Sequence, residues 1–141
     1  MYIRPVVWKA SYAFLAAVVL AVPRISPSEA LQYVGSRDVV FLDVREASEY
    51  ETGHVPGSRL MPWNSGVLQE RWQELPVDRL IIVYCASGAR SARAAQFLQD
   101  MGLQQLADMG EFSTYRLLPD APIETGPYKE PTTSIPHWIL Y

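Results

Sequence analysis

The chain has 141 residues, of which 49% are hydrophobic, and carries a formal net charge of −3. This length is sufficient for one ordinary hydrophobic core, so we expect one domain. Of the 12 basic residues only Arg4 and Lys9 precede residue 21, whereas all 15 acidic residues follow it. The main part of the chain is therefore acidic, which argues against a nucleic-acid partner.

Residues 1–22 have the pattern of an export signal. Two basic residues precede an apolar run, Ala10–Val22, and Pro23 ends any helix there. The run is short for a membrane span and suits the core of a secretory signal, with a cleavage site after Ala21. The segment predicts a signal peptide or an uncleaved anchor in contact with the membrane, and therefore a domain in the periplasm or on the outer side of the cytoplasmic membrane. A buried helix of the domain is the alternative.

Short helices and apolar strands alternate along the rest of the chain. The first predicted elements are a helix capped by Ser26 and ended by Gly35, a strand at Val39–Leu42 and a helix at Ala47–Thr52. A strand at Arg59–Met61, a helix capped by Asn64 and a strand at Leu80–Tyr84 follow. The last elements are a helix from Ser91 with Met101 on its buried stripe, a weaker strand at 105–107 and a helix at 111–118. This alternation predicts an α/β fold with a central parallel sheet and helices on both faces.

The only cysteine, Cys85, follows the most apolar strand and precedes a loop that contains Gly88 and Arg90 and opens into a helix. The loop N–H groups, the helix start and the arginine all favour a negative charge on sulfur. A cysteine that closes an apolar strand is more often a small core residue. Here the glycine, the arginine and the helix start within one loop favour a reactive thiol. A single cysteine cannot form an internal disulfide, so the thiol is free to react.

Three motifs occur in an order that is typical of one family. They are Phe41-Leu42-Asp43-Val44-Arg45-Glu46, then Glu49-Tyr50 with Gly53-His54-Val55-Pro56-Gly57-Ser58, and the loop Cys85-Ala86-Ser87-Gly88-Ala89-Arg90-Ser91. On these motifs the chain from about residue 25 to 126 resembles the rhodanese family of sulfurtransferases. It departs from the family pattern at Met109-Gly110-Glu111, where paired glycines are usual, and in the tail at 127–141.

The resemblance implies a rhodanese-like domain at 25–126 that transfers a sulfane sulfur in two steps. Cys85 would take the sulfur from thiosulfate or a low-molecular-weight persulfide, hold it as a persulfide, and pass it to an acceptor. Cyanide, a small thiol or a thioredoxin-like protein would serve as acceptor. The group that binds the transferred sulfur would be Ala86, Ser87, Gly88, Ala89, Arg90 and Ser91. No cofactor is implied, and the two histidines and one cysteine lie too far apart in sequence to predict a metal site.

The charged residues near the predicted site have supporting roles. Arg90 would either bind an anionic donor or shape the loop through a salt bridge, for which Asp43 is a candidate partner. Asp43 and Arg45 would support the strand ends, with Arg45 pairing with Glu46 or Glu49.

Two other residues are assigned structural roles from their sequence context. His54 would fix the turn that contains it through backbone hydrogen bonds instead of acting as a base. Trp63 would line the pocket or belong to the core.

Two other functions are consistent with the same motifs. A cysteine-dependent phosphatase or arsenate reductase uses the same strand, loop and helix, but the related phosphatases place five residues between cysteine and arginine. Here four residues separate Cys85 from Arg90, which favours one sulfur atom over a tetrahedral oxyanion. A non-catalytic binding module is the other alternative, although degenerate modules of this kind usually lack the loop cysteine.

The tail at 127–141 combines prolines with apolar residues. Pro127, Pro131 and Pro136 prevent a long helix, whereas the last four residues, 138–141, are too apolar to favour exposure to water. We therefore expect these last residues to pack on the domain or on a partner, with disorder as the alternative.

Overall fold

The computed structural model describes residues 20–131, which form four strands and five short helices. The strands are β1 (Val39–Asp43), β2 (Arg59–Leu60), β3 (Leu80–Cys85) and β4 (Leu106–Glu111). The helices are α1 (Pro27–Leu31), α2 (Ala47–Thr52), α3 (Val67–Arg71), α4 (Ala89–Asp100) and α5 (Phe112–Tyr115), and a short 3-10 helix follows α3 at Trp72–Glu74.

The strands form one parallel sheet in the order β2-β1-β3-β4. In the central pair Asp43 lies opposite Tyr84, and in the next pair Cys85 lies opposite Glu111. The carboxyl ends of β1, β3 and β4 therefore meet at one edge of the sheet. Ligand sites of open parallel sheets lie at this edge. The predicted α/β fold with a parallel sheet is confirmed.

A separate hydrophobic core covers each face of the sheet, because successive side chains of β3 point to opposite faces. Ile81, Val83 and Cys85 face α3 and α4, where Leu68 and Leu98 are fully buried. Ile82 and Tyr84 face α1 and α5, which contribute Ala30, Phe112 and Tyr115. Cys85 thus lies on the α4 side of the sheet, below the helix that follows it.

Local sequence signals explain where the first two helices begin and end. At α1 the Glu29 N–H donates to Ser26 Oγ at 3.1 Å, and the Ser26 N–H donates to Glu29 Oε2 at 3.4 Å, so the predicted cap is present. Helix α2 begins at Ala47 and ends at Thr52, as predicted, with Gly53 as its C-cap.

The structure corrects the prediction at α3, α4 and β4. Helix α3 begins after Gly66, whose φ of +79° suits glycine, and Asn64 lies in the preceding turn instead of capping the helix. Met101 is 43% exposed because α4 ends at Asp100 and its periodicity stops there. Strand β4 reaches Glu111, farther than the weak pattern at 105–107 indicated, so α5 is shorter than expected.

The two ends of the described chain pack on different parts of the domain. Residues 23–25 lie along β4, where the Asp108 N–H donates to the Pro23 carbonyl and the Ile25 N–H donates to the Asp108 carbonyl. Residues 122–131, here called the C-terminal strap, return to the turn after α2, where His54 and Glu124 form an antiparallel bridge.

The predicted export segment, 1–22, lies outside the described residues except for its last three positions. The apolar end of the tail, within 132–141, also lies outside them. Between residues 20 and 131, no helix has the length and apolar character needed to span a membrane.

Candidate active site

The sulfur of Cys85 lies beneath the loop that joins β3 to α4. The side chain is buried, and its Sγ accepts hydrogen bonds from the Gly88 N–H at 3.1 Å and the Ser91 N–H at 3.3 Å. The Ser91 hydroxyl donates to the Gly88 carbonyl at 3.1 Å and closes the loop. Two N–H groups that point at one sulfur stabilise negative charge on it. The structure thus brings together Cys85 and the loop that the sequence assigned to sulfur binding.

Gly88 gives the loop its shape. Its φ of +102° lies in the left-handed region, which glycine adopts without steric cost, and it directly precedes α4. This conformation turns the Gly88 N–H toward the sulfur while its carbonyl accepts the Ala92 N–H of the first helical turn. Ser87 and Ala89 on either side are small and exposed, so the outer part of the loop faces solvent.

Arg90 pairs with Glu49, which is a correction to the expected pairing with Asp43. Its two terminal nitrogens donate to the two carboxylate oxygens of Glu49, each at 2.8 Å. Glu49 Oε2 also accepts the Glu46 N–H at 2.9 Å. The hydrogen bonds from Arg90 lower the pKa of Glu49 to about 2, and the same contact raises the pKa of Arg90. Sequence reasoning considered Glu49 only as a partner of Arg45.

Arg45 pairs with Asp43, and not with Glu46 or Glu49 as expected. Its Nη2 donates to Asp43 Oδ2 and to the Gly53 carbonyl, each at 2.7 Å, and its guanidinium lies 4.4 Å from the centre of the Phe112 ring. Asp43 is fully buried and Arg45 is 4% exposed. Burial lowers the pKa of Arg45, but the hydrogen bond and charge of Asp43 outweigh it, so the pKa is raised. This pair joins the end of β1 to the turn after α2.

His54 lies in that turn, where its contacts are structural. Its Nδ1 lies 2.7 Å from the Tyr50 carbonyl, and its ring stacks on Tyr50 at 3.5 Å between centroids. Tyr84, the neighbour of Cys85 in β3, reaches the same turn and accepts the Val55 N–H at 3.1 Å. These contacts fix the turn, as the sequence predicted for His54.

Two other features near the site follow from the geometry. Trp63 packs edge-on against Phe97 and belongs to the core on the α4 face. Arg24 Nη1 lies 3.6 Å from Asp108 Oδ2, and a Cβ added at Gly110 would lie 2.6 Å from Arg24 Nη2. An alanine at 110 would displace the exposed end of the Arg24 side chain, and the φ of +74° at Gly110 also favours glycine. The departure at 109–111 marked this place in the sequence, but the contact with Arg24 depends on the fold.

A cleft of about 420 Å³ lies between the C-terminal strap and the turn after α2. Tyr50, His54, Ser58, Glu124 and Tyr128 are among its lining residues. Neither Cys85 nor any residue of its loop contributes to the lining, so this cleft is separate from the sulfur site.

Comparison with known sequences places these motifs in a family. The pattern of the rhodanese-like domain family matches residues 26–111. The uncharacterized protein YqhL of Bacillus subtilis is 36% identical over 75 residues, which are 53% of this chain and 58% of YqhL, so the chain spans less than two thirds of that relative. The thiosulfate sulfurtransferase GlpE of Pseudoalteromonas translucida is 30% identical over 97 residues, which are 68% of this chain and 90% of GlpE.

Solved structures agree with this result. A rhodanese-related protein from Thermoplasma volcanium superimposes with a TM-score of 0.63 at 29% identity, covering 72% of this chain and 97% of its own. A protein of unknown function from Rhodopseudomonas palustris, described as a possible tyrosine phosphatase, has a TM-score of 0.61 at 33% identity over 73% of this chain and 85% of its own. Of these relatives, GlpE is the one named as a thiosulfate sulfurtransferase. The family pattern covers more than half of the sequence, and the chain therefore belongs to the rhodanese-like domain family.

Proposed function

We propose that this protein is an exported sulfurtransferase in which Cys85 carries the transferred sulfur as a persulfide. The observation that carries the proposal is the convergence of the Gly88 and Ser91 N–H groups on Sγ at the start of α4. The similarity to a protein named thiosulfate sulfurtransferase supports the same chemistry.

In the first step the Cys85 thiolate attacks the outer sulfur of the donor. With thiosulfate, a new S–S bond forms at Cys85, the bond between the two donor sulfurs breaks, and sulfite leaves with the electron pair. The negative charge then lies on the outer sulfur of the persulfide. In this proposal the N–H groups of the loop, residues 86 to 91, stabilise this charge.

In the second step a nucleophilic acceptor attacks the outer sulfur of the persulfide. Cyanide would leave as thiocyanate, and a thiolate would leave as a new persulfide, while the electron pair of the broken bond returns to Cys85 as a thiolate. The exposed, small side chains of Ser87 and Ala89 leave space for a small thiol or for the reactive group of a thioredoxin-like protein. Cysteine occurs once in the chain, so the acceptor must come from outside it.

The remaining site residues support the reacting sulfur in this proposal. Asp43 and Arg45 fix the end of β1 beside β3. Arg90 has both terminal nitrogens bound to Glu49, which supports the loop-shaping role over direct binding of an anionic donor.

Phosphate chemistry is the second candidate, because a structural relative is described as a possible tyrosine phosphatase. The loop length argues against it here, since four residues separate Cys85 from Arg90. We expect negligible hydrolysis of aryl phosphates by the wild-type protein. Efficient hydrolysis would favour this second candidate.

The decisive experiment measures the intact mass of the protein before and after incubation with thiosulfate. We expect a gain of one sulfur atom that cyanide removes, and no gain in Cys85→Ser. An unchanged mass with thiosulfate, a mercaptopyruvate-type donor and glutathione persulfide would overturn the proposal.

Loop size can be tested by inserting one glycine after Ala89. The wider ring is expected to impair persulfide formation although Cys85 and Arg90 remain. Unimpaired sulfur transfer in this variant would show that the ring size does not select the substrate.

Export rests on the sequence of residues 1–22 alone and is tested by cell fractionation with N-terminal sequencing. We expect either a mature chain that begins at Val22 or a full-length chain anchored to the membrane with its domain outside the cytoplasm. Full-length protein in the soluble cytosolic fraction would exclude both forms.

A further inference from the structure

We propose that Glu49 is a positioning residue for the sulfur site, which acts by holding Arg90 and, through it, the Ser91 N–H that faces Sγ. The inference rests on the proposed function and adds a residue to it. Glu49 belongs to α2 and Arg90 to the first turn of α4, and the two side chains meet through paired hydrogen bonds of 2.8 Å.

Arg90 is connected covalently to the N–H group in question. The Ser91 nitrogen belongs to the peptide that follows Arg90, and it lies 3.3 Å from Sγ. N–H groups in the first turn of a helix have no partner within the helix, so their direction depends on outside contacts. Anchoring the Arg90 side chain therefore fixes the direction of the Ser91 N–H. A paired guanidinium and carboxylate fix orientation as well as distance, which a lysine at this position cannot do.

Glu49 can act as an anchor because α2 is itself fixed. The Glu49 Oε2 accepts the Glu46 N–H at 2.9 Å, which fixes the carboxylate at the start of α2. The end of α2 is held by the C-terminal strap, where the Gly126 N–H donates to the Glu51 carbonyl at 2.9 Å and Tyr128 packs edge-on against Tyr50. Both side chains are partly buried: that of Glu49 is 34% exposed and that of Arg90 is 21% exposed.

This arrangement has a consequence for how donors are used. Because Glu49 occupies both terminal nitrogens of Arg90 and compensates its charge, Arg90 does not distinguish a dianionic donor from a less charged one while the pair is intact. Arg90→Gln should therefore slow the reaction of bound donor and leave the KM for thiosulfate close to that of the wild type.

The test uses the full-length protein and the variants Glu49→Gln, Arg90→Gln and the double variant, with Glu51→Gln as a control on the same helix. Two reactions are measured. Persulfide formation is followed over a range of concentrations of thiosulfate or glutathione persulfide, which gives the KM and the rate at saturation, and alkylation of Cys85 by uncharged iodoacetamide gives the second rate. The second readout is specific because the chain has one cysteine, and it does not require sulfurtransferase activity.

We expect Glu49→Gln to lower both rates about three- to tenfold with either donor, since one hydrogen bond to sulfur is affected. In the double variant, Glu49→Gln should have no effect beyond that of Arg90→Gln alone. The control variant Glu51→Gln should have the same rates as the wild type. Additive effects of the two substitutions, or an effect of Arg90→Gln on the KM that is confined to thiosulfate, would overturn the inference. Faster alkylation in Glu49→Gln would also overturn it, because the freed charge of Arg90 would then matter more than alignment. Altered alkylation in the expected pattern without any persulfide would refute the proposed function and leave the positioning role intact.

Discussion

Among single residues, Asp43 and Arg45 show most directly how a buried charge is accommodated beside the site. Asp43 is fully buried and accepts the Arg45 N–H at 2.9 Å as well as its guanidinium. Arg45 also donates to the Gly53 carbonyl and lies over the Phe112 ring. Every charge in this group has a partner, which is the condition under which ions are tolerated in a protein interior.

Removal of one member of this pair should be costly. In Asp43→Ala the Arg45 guanidinium stays buried without a carboxylate, so the free energy of unfolding should fall by about 3–5 kcal/mol. Urea denaturation measures this change. The double variant Asp43→Ala with Arg45→Met should recover much of the loss, because it removes the unpaired charge. A loss below about 1 kcal/mol in the single variant would show that the pair contributes little.

Glu49 gives a prediction about pH. Its pKa in the folded protein is about 2, below the ordinary value of 4.5, because Arg90 stabilises the charged form. A lowered pKa contributes stability that is complete above 4.5 and is lost as the pH falls through about 2. The stability difference between wild type and Glu49→Gln should therefore be equal at about pH 7 and pH 5 and smaller at about pH 3. Urea denaturation at these three values tests it, and a difference that decreases between pH 7 and pH 5 would contradict the assignment.

At the scale of elements, the sequence predicted those features that depend on neighbouring residues. The bounds of α2, the cap of α1 and the position of Cys85 at the end of β3 follow from local patterns of apolar residues, caps and glycine. The predicted start of α3 was wrong because the polar residue at 64 has the type that favours a helix cap. The helix instead begins after Gly66, whose backbone is left-handed. The family assignment from the three motifs is confirmed.

The partners of the charged residues could not be predicted in the same way. Arg90 and Glu49 are 41 positions apart, and their contact exists only because β1 and β3 are adjacent in the sheet. From the sequence, Asp43 was the candidate partner of Arg90, and Glu46 or Glu49 was the expected partner of Arg45. The pairing depends on which carboxylate is buried beside Arg45 and which one lies on α2 and faces α4. Both depend on the tertiary structure.

The loop before α4 can be tested with two glycines of similar conformation. Gly88 has a φ of +102° and Gly102 a φ of +100°, and a Cβ at Gly102 would contact nothing within 4 Å. Substitution of either by alanine should cost about 1–2 kcal/mol, the cost of left-handed backbone. Only Gly88→Ala should also slow persulfide formation, because the Gly88 N–H points at Sγ. Thermal unfolding and the mass assay measure the two effects, and equal rates in both variants would contradict a role of the loop conformation.

At the scale of the whole molecule, residues 112–131 lie beyond the family match and are part of the domain. The match ends at residue 111, whereas the C-terminal strap returns to α2 and the following turn. Tyr128 packs on Tyr50, and Glu130 pairs with Arg71 at 2.8 Å. The strap therefore braces the helix that carries Glu49.

Two truncations separate the strap from the tail after it. Deletion of Pro131–Tyr141 removes the tail together with only the last residue of the strap. It should lower stability or solubility, because the apolar end of the tail is expected to pack, and it should leave the reactivity of Cys85 unchanged. Deletion of residues 122–141 should in addition slow alkylation of Cys85, since α2 loses its contacts with the strap. Thermal unfolding, solubility and alkylation rates are compared for both. Equal alkylation in both truncations would show that the strap does not influence the site.

The short segment at 23–25 has a consequence for how copies of the protein behave toward one another. An exposed strand at the border of a sheet can recruit a strand from another molecule, which is a common route to aggregation. At β4 both backbone groups of Asp108 are already bonded to this segment, and Pro23 has no N–H group to continue the pairing outward. Cleavage after Ala21 would leave the segment attached to the mature chain. The mature chain that we propose would thus keep this protection of the β4 edge at Asp108.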